Sequence, residues 1–504
     1  MTRLFYHRLP DFDRKETKLD FLSENSLSSV DWKRLVPNTK HTWRRTDTED
    51  EFASYLPIGS KEAKRAKPDQ IDTIFKTYSG GVKTNRDVYV YDFQFDALAT
   101  RMKQFVDDYN SQVDKYKRQN PKPDVDDFVD YRKFAWSRDL KLDLQRGNYA
   151  QYSTLKLRDS LFRPFAKRHL FFDRTLNEEV YQQPAYFPNE QSESENVQLS
   201  IGSVGIEKPF YSVAVNSIPN LSFVGFGGAC QCFPFYTYDE DGGNRRENIT
   251  DWALDQFRSH YDDPAISKWD IFYYVYGLLH HPGYRERYAL DLKRSLPRIP
   301  FAPATPNLSS TGQRLRDPTR SEGLSSRIAN TPESCSPSLI LGEGAGGWGQ
   351  SSAFHAFSRA GAQLADLHLN YESVERYELN WQSTRTPVSY RVEKMLPKGK
   401  VDSAEGNYKV YSTLKYNDTL TLHGIPERAF AYRLGNRSAL DWIVDQYRVK
   451  TDKRSGITHD PNGYSDDPQY ILKLIERVIT VSLRTVDIVE ELAKLPFRDE
   501  SADD

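Results

Sequence analysis

The sequence predicts an α+β protein, and three observations carry that expectation. Short apolar pieces alternate with Gly and Pro between 197 and 238, as in a β-rich region. Helical periodicity runs through 95–118 and resumes at Phe354. Strand-like alternation is followed by long helical stretches, which favours segregated helices and sheets. The chain has 504 residues, 38% hydrophobic, 28% charged and 13% aromatic, a globular composition with enough length for about three domains or two large ones.

In chain order, Leu4, Tyr6 and Leu9 read as a short strand, and Leu19, Phe21 and Leu22 sit at helical spacing after Asp13. Ser79-Gly-Gly reads as a turn, and Val88-Tyr-Val-Tyr-Asp-Phe as a strand. Leu98, Met102, Phe105, Val106 and Tyr109 then mark one face of a helix. Trp269 to Arg294 predicts two helices broken at His281-Pro-Gly, and the Phe272-Tyr-Tyr-Val-Tyr stripe is expected in the core. From about Pro303 to Ser352 Ser, Gly, Pro, Thr and Arg dominate without periodicity, which predicts a low-complexity, disordered insertion. Phe354, Phe357, Ala360, Leu364 and Leu367 restart a helix.

The longest strongly apolar stretch, Ile271 to Leu279, is far short of the ~20 residues of a membrane span. The first twenty residues lack the apolar core of a secretory signal, so a cytoplasmic protein without a membrane partner is expected. Three cysteines, Cys230, Cys232 and Cys335, cannot build a disulfide framework. The net charge is -2, so a nucleic-acid signal has to be local. It is concentrated between Tyr131 and Arg174, where eleven Lys or Arg face four Asp.

Common catalytic motifs are absent. Gly80-Gly-Val-Lys-Thr separates Gly from Lys and so fails as a phosphate cradle. Asp460-Pro-Asn-Gly lacks the second proline and the aromatic of an adenine methyltransferase turn. Asp11 and Glu16-x-Lys18 stand too close together to be nuclease carboxylates on separate strands. Cys230-Gln-Cys232 supplies only half a zinc site, and a turn into a buried strand is expected there; adjacent His280 and His281 point apart and suit a helix terminus. No metal or cofactor site is expected.

Six segments carry a resemblance. They are Tyr78-Ser-Gly-Gly-Val-Lys-Thr-Asn-Arg-Asp; Leu161-Phe-Arg-Pro-Phe-Ala-Lys-Arg-His-Leu-Phe-Phe-Asp; Gln231-Cys-Phe-Pro-Phe-Tyr; Asp270-Ile-Phe-Tyr-Tyr-Val-Tyr-Gly-Leu-Leu-His with Tyr284-Arg-Glu-Arg-Tyr; Leu296-Pro-Arg-Ile-Pro-Phe; and Gly435-Asn-Arg-Ser-Ala-Leu-Asp-Trp with Asp452-Lys-Arg-Ser-Gly-Ile. In order and over nearly the whole chain, they resemble the C-terminal specificity region of type ISP restriction-modification enzymes. Those single polypeptides join a nuclease, a helicase-like translocase, an adenine-specific methyltransferase and a target recognition domain. The resemblance implies that 1–22 end a methyltransferase-type α/β domain, 23–150 form a mixed spacer or clamp, 151–303 and 353–497 form the recognition domain, 304–352 are an insertion, and 498–504 are an acidic tail. It also implies that S-adenosylmethionine, ATP and Mg belong to the full-length enzyme.

Side chains that anchor phosphates or read bases are chiefly Arg, Lys, Thr, Asn and Gln. Lys83, Thr84, Asn85 and Arg86 offer four such groups after a Gly-Gly turn, with a solvated turn as the alternative. Arg163, Lys167 and Arg168 form a second cluster, in which a buried structural role stands open for Arg163. Arg448, Lys450, Lys453 and Arg454 follow an amphipathic helix, where a solvated charged face is the alternative. The leading expectation is a module that recognises double-stranded DNA for adenine-specific methylation and restriction, lacking its catalytic domains. Part of a split methyltransferase that needs a separately encoded catalytic chain, a non-functional fragment, and an aromatic-rich carbohydrate or peptide binder are the alternatives.

Overall fold

The computed structural model describes residues 3–9, 15–36, 48–131, 135–303, 353–404 and 406–498. The insertion expected at 304–352, the tail after 498 and Asp11 lie outside the described residues, as do Arg132 and Lys133 of the basic stretch. The chain divides into two compact units, Met1–Ser54 and Tyr55–Asp504.

In the first unit, strand Leu4–Tyr6 pairs antiparallel with Lys33–Leu35, and the helix Lys15–Glu24 comes between them in sequence. Leu19 and Leu22 are both exposed.

The second unit runs through β1 (Ser79–Gly80), β2 (Tyr91–Asp92), α1 (Phe95–Lys117), β3 (Leu157–Arg163), β4 (Ala166–Phe171), β5 (Gln198–Gly202), β6 (Ser212–Val215), β7 (Ile218–Pro219) and β8 (Cys230–Pro234). It continues with α2 (Lys268–Leu278), α3 (Ala353–Leu369), β9 (Asn380–Ser383), β10 (Leu396–Lys398), β11 (Thr413–Lys415) and β12 (Leu420–His423). After these come α4 (Ala439–Gln446), a ribbon of β13 (Lys450–Thr451) and β14 (Thr458–His459), and α5 (Tyr470–Leu492), with shorter elements in between. Three four-stranded sheets result, in the orders β7-β3-β4-β2, β1-β8-β5-β6 and β9-β12-β11-β10. Only the β7–β3 pair is parallel within these sheets.

The expected helices form where their apolar spacing places them. In α1, Leu98, Met102, Phe105, Val106, Tyr109, Val113 and Tyr116 are buried along one stripe, and Lys115 and Lys117 lie at the C-terminal end, where the helix dipole favours cations. Ser267 caps α2 reciprocally with Asp270, and the aromatic stripe behind it is core. The helix break at His281-Pro-Gly has a local cause. The Nδ1 of His281 accepts from Tyr284 N at 3.2 Å, and Pro282 occupies the first helical turn. Burial lowers the pKa of both His280 and His281. Cys230 and Cys232 sit fully buried in β8 with their sulfurs 3.9 Å apart.

Two local expectations change. Ser79-Gly80 is not a turn but a strand, paired with Cys232 and Gln231. The glycine beside it serves close approach, since a Cβ at Gly81 would stand 2.7 Å from the Pro219 carbonyl oxygen. The alternating run from Val88 is a strand only at Tyr91–Asp92, because Asp87–Val90 makes one helical turn in which Tyr89 N donates to Arg86 O at 2.8 Å. Residues 79–92 therefore supply one strand to each of two of the three four-stranded sheets, which later sequence completes.

The β3–β4 hairpin joins two cores. Leu157, Phe162, Leu170 and Phe171 pack with α1, whereas Leu161, Phe165 and Ala166 pack with α4, α5 and the third sheet. A register shift between Leu161 and Arg163 and a positive φ of 57° at Phe165 turn the hairpin tip. Its position between α1 and α4 is thereby fixed from both sides.

Candidate nucleic-acid interface

Three segments far apart in sequence meet in one cleft of about 320 Å³. The loop after β1 contributes Asp87 and Val88; the hairpin contributes Phe162, Arg163 and Arg168; α4 and the ribbon contribute Asp445, Gln446, Arg448, Lys450, Asp452 and His459. A second hollow of about 370 Å³ shares Asp445 and Arg448 with it and adds Lys394, Lys400 and Arg437. In the combined lining of the two, seven Lys or Arg stand against Asp87, Asp441, Asp445 and Asp452.

Ser438 sets the direction of α4 by accepting from Asp441 N at 3.1 Å, and the helix ends at Gln446, which delivers Arg448 and Lys450 to the cleft. Asp445 lies between the two hollows and binds Arg437 at 2.7 Å and Arg448 at 3.4 Å. Opposite, the Arg163 guanidinium lies 4.0 Å over the Phe162 ring and donates to Phe162 O at 2.6 Å and Asn220 Oδ1 at 3.1 Å. Arg168 is sandwiched between Phe162 and Phe93, at 4.2 and 4.5 Å, and reaches Gln446 Oε1 at 3.5 Å. Burial, then the neighbouring charge of Arg163, pushes the Arg168 pKa down to about 10; burial lowers that of Arg163 as well.

The structure sorts the eleven sequence candidates. Thr84 and Arg86 face inward: Thr84 donates its hydroxyl to Asp87, and Arg86, 3% exposed, donates to Leu176 O at 2.5 Å, to Ala135 O at 3.4 Å and to the Ser137 hydroxyl. Glu178 stands 3.9 Å from the Arg86 guanidinium, whose pKa burial pushes down to about 10. The pair therefore hold the loop together, and only Lys83 and Asn85 of that group reach solvent. Asn85 adopts a φ of 55°, which Asn tolerates better than most residues. Lys167 is ion-paired to Glu372 rather than free. Lys453 is exposed at the ribbon turn, and Arg454 beside it donates to Tyr131 O at 2.6 Å. Arg163, Arg168, Arg448 and Lys450 converge on the cleft. Sequence reasoning missed Lys394, Lys400 and Arg437, although the run Lys394-Met-Leu-Pro-Lys-Gly-Lys400 is visibly basic.

A family model described as the Type ISP C-terminal specificity domain matches residues 73–320 and 349–474. The chain belongs to that family. All eleven candidates of this Type ISP specificity domain lie within the matched residues. Among solved structures, a nuclease-deletion mutant of the Type ISP restriction-modification enzyme LlaGI, in complex with a DNA substrate mimic, is 30% identical with a TM-score of 0.74. That match covers 99% of this chain and 40% of LlaGI. A DrdV–DNA complex is 29% identical with a TM-score of 0.75, covering 99% of this chain and 44% of DrdV. LlaBIII, an ATP-dependent Type ISP enzyme bound to DNA, is 29% identical with a TM-score of 0.69, covering 93% of this chain and 26% of LlaBIII. The chain thus spans less than half the length of each of these relatives. No curated protein matches it. Among the described residues no helix is long and apolar enough to cross a membrane.

Proposed function

We propose that this specificity domain recognises a sequence in double-stranded DNA and so selects the site for adenine-specific methylation and restriction. The observation that carries the reading is the convergence of two basic segments on one cleft, Arg163 and Arg168 from the hairpin with Arg448 and Lys450 from the end of α4 and the ribbon, in a chain whose LlaGI, DrdV and LlaBIII relatives are DNA complexes. A net charge of -2 does not oppose it, because phosphate contacts depend on local clusters. Catalysis, and with it S-adenosylmethionine, ATP and Mg, is assigned to the additional length of the longer relatives, whether on one polypeptide or on a separately encoded chain.

The reading is tested with the full chain and a random-sequence duplex pool, followed by binding of the selected duplex across a salt series. Lys83→Ala and Lys453→Ala should weaken all duplexes alike and lower the slope of log K against log salt by about one. Asn85→Ala should instead cost ~1–3 kcal/mol on the selected sequence and little elsewhere. No salt-dependent binding, alone or fused to a related catalytic portion, would sink DNA recognition.

A further inference from the structure

The cleft has a charge arrangement that internal pairing does not explain. Its carboxylates are hydrogen-bonded or ion-paired elsewhere, Asp87 by the Thr84 hydroxyl, Asp445 by Arg437 and Arg448, and Asp452 by the Ser455 amide and hydroxyl, both at 2.8 Å, so that Asp87 and Asp445 act on Arg163, and Asp87 on Arg168, only through space. Arg163, Arg168 and Lys450 are different. No described carboxylate lies within ion-pair distance of any of the three, and the Arg163 and Arg168 guanidinia meet only neutral acceptors. The Nε of Arg168 is buried without a hydrogen-bond partner.

Two desolvated like charges side by side are costly unless something compensates them. Here the arrangement is held in place rather than relaxed. Both guanidinia lie against the Phe162 ring, and the Phe93 ring covers Arg168 from its other side. A planar fork fixed in this way suits an oxyanion with two acceptor oxygens, and two such forks suit a group with several. A neutral base edge would accept hydrogen bonds but leave the two charges offset only in part, by Asp87, Asp92 and Asp445 beyond ion-pair distance.

We propose that this cleft is a phosphate-binding site, in which Arg163 and Arg168 grip a phosphodiester of the DNA backbone and Lys450 covers it from the exposed ribbon. The phosphate chemistry follows from the cleft itself; its source in DNA rests on the recognition function proposed above. Arg163 and Arg168 then fix the position of the duplex, while the reading of bases falls to other side chains such as Asn85.

The test uses the full chain with inorganic phosphate as probe, in thermal unfolding against chloride at equal ionic strength. Phosphate should raise the melting temperature of the wild type, and Arg168→Gln should abolish the rise. Arg168→Met should unfold at a higher temperature than the wild type without ligand, because it removes the repulsion with Arg163, yet bind duplex roughly tenfold or more weakly. A merely structural Arg168 would lower both. Lys450→Ala, at an exposed position that folding does not need, should diminish the phosphate effect and reduce the DNA salt slope by about one. A phosphate shift as large in Arg168→Gln and Lys450→Ala as in the wild type, or no shift in the wild type, overturns the site. A shift that the variants lose while their DNA salt slopes stay unchanged keeps the phosphate site and overturns its backbone source. A wild type that responds to phosphate but binds no duplex keeps the site and rejects the recognition function.

Discussion

Asp92 shows how one side chain ties the cleft wall to the sheet beneath it. The carboxylate accepts from Arg101 Nη1 at 2.8 Å and from Gln94 N at 3.1 Å, and His459, which lines the cleft, stands 3.6 Å away. Burial alone would raise the Asp92 pKa, but the nearby His459 ring and the bond from Arg101 outweigh it and hold the group at about 2. A folded-state pKa below the unfolded one contributes stability above about pH 4 that is lost as the pH falls towards 2. From a shift of this size the contribution is about 2 kcal/mol. Urea unfolding of Asp92→Asn and the wild type should therefore differ by that order at pH 5 and converge near pH 2. A gap independent of pH would assign Asp92 a packing role instead.

At the scale of elements, α2 and α3 cross with their backbones in contact. A Cβ at Gly361 would collide with the Tyr273 carbonyl oxygen, and one at Gly277 with that of Phe357. The helix α3 also packs on β6 and α5, contacts that a wider crossing would disturb. Gly361→Ala should cost at least about 2 kcal/mol by overpacking. By contrast Gly205→Ala, with open space around it and a φ of 81°, should cost only about 1 kcal/mol, for backbone strain alone. Denaturant midpoints of the two variants check the order; a Gly361→Ala protein as stable as the wild type would show that the crossing can widen.

For the molecule as a whole, the family match pauses at 320 and resumes at 349, inside the Ser-, Gly- and Pro-rich stretch that runs from about 303 to 352. Deleting 321–348 should leave the melting temperature within a few degrees, since a segment without apolar periodicity has little core to lose. Calorimetry on the deletion variant decides, and loss of cooperative unfolding would make the segment structural. Pairing of residues 79–92 with strands beyond 157 has a related consequence for the expected 23–150 spacer. Residues 55–150 fold into the same unit as the sequence that follows them.

Periodic helices were legible because their signal is local: α1 and α3 stand at the positions their apolar spacing marks. The burial of Phe272-Tyr-Tyr-Val-Tyr followed from the same kind of reasoning, as did the terminus at His281-Pro-Gly. The 23-residue helix α5 also carries helical spacing at Ile471, Leu474, Ile475 and Val478, a signal as local as that of α1 although no element was expected there. Two-residue strands such as β1 and β2 have no period to detect, and their pairing depends on partners far along the chain. The same holds at the site. Sequence by itself determined the residue types and the three basic segments, together with the family they resemble. Tertiary structure decided which cations are paired with a carboxylate, as Arg86 and Lys167 are, and which line the cleft without a described carboxylate in ion-pair distance, as Arg163, Arg168 and Lys450 do. Whether a charge is compensated depends on what lies within about 4 Å of it, and here those neighbours come from parts of the chain that only folding brings together.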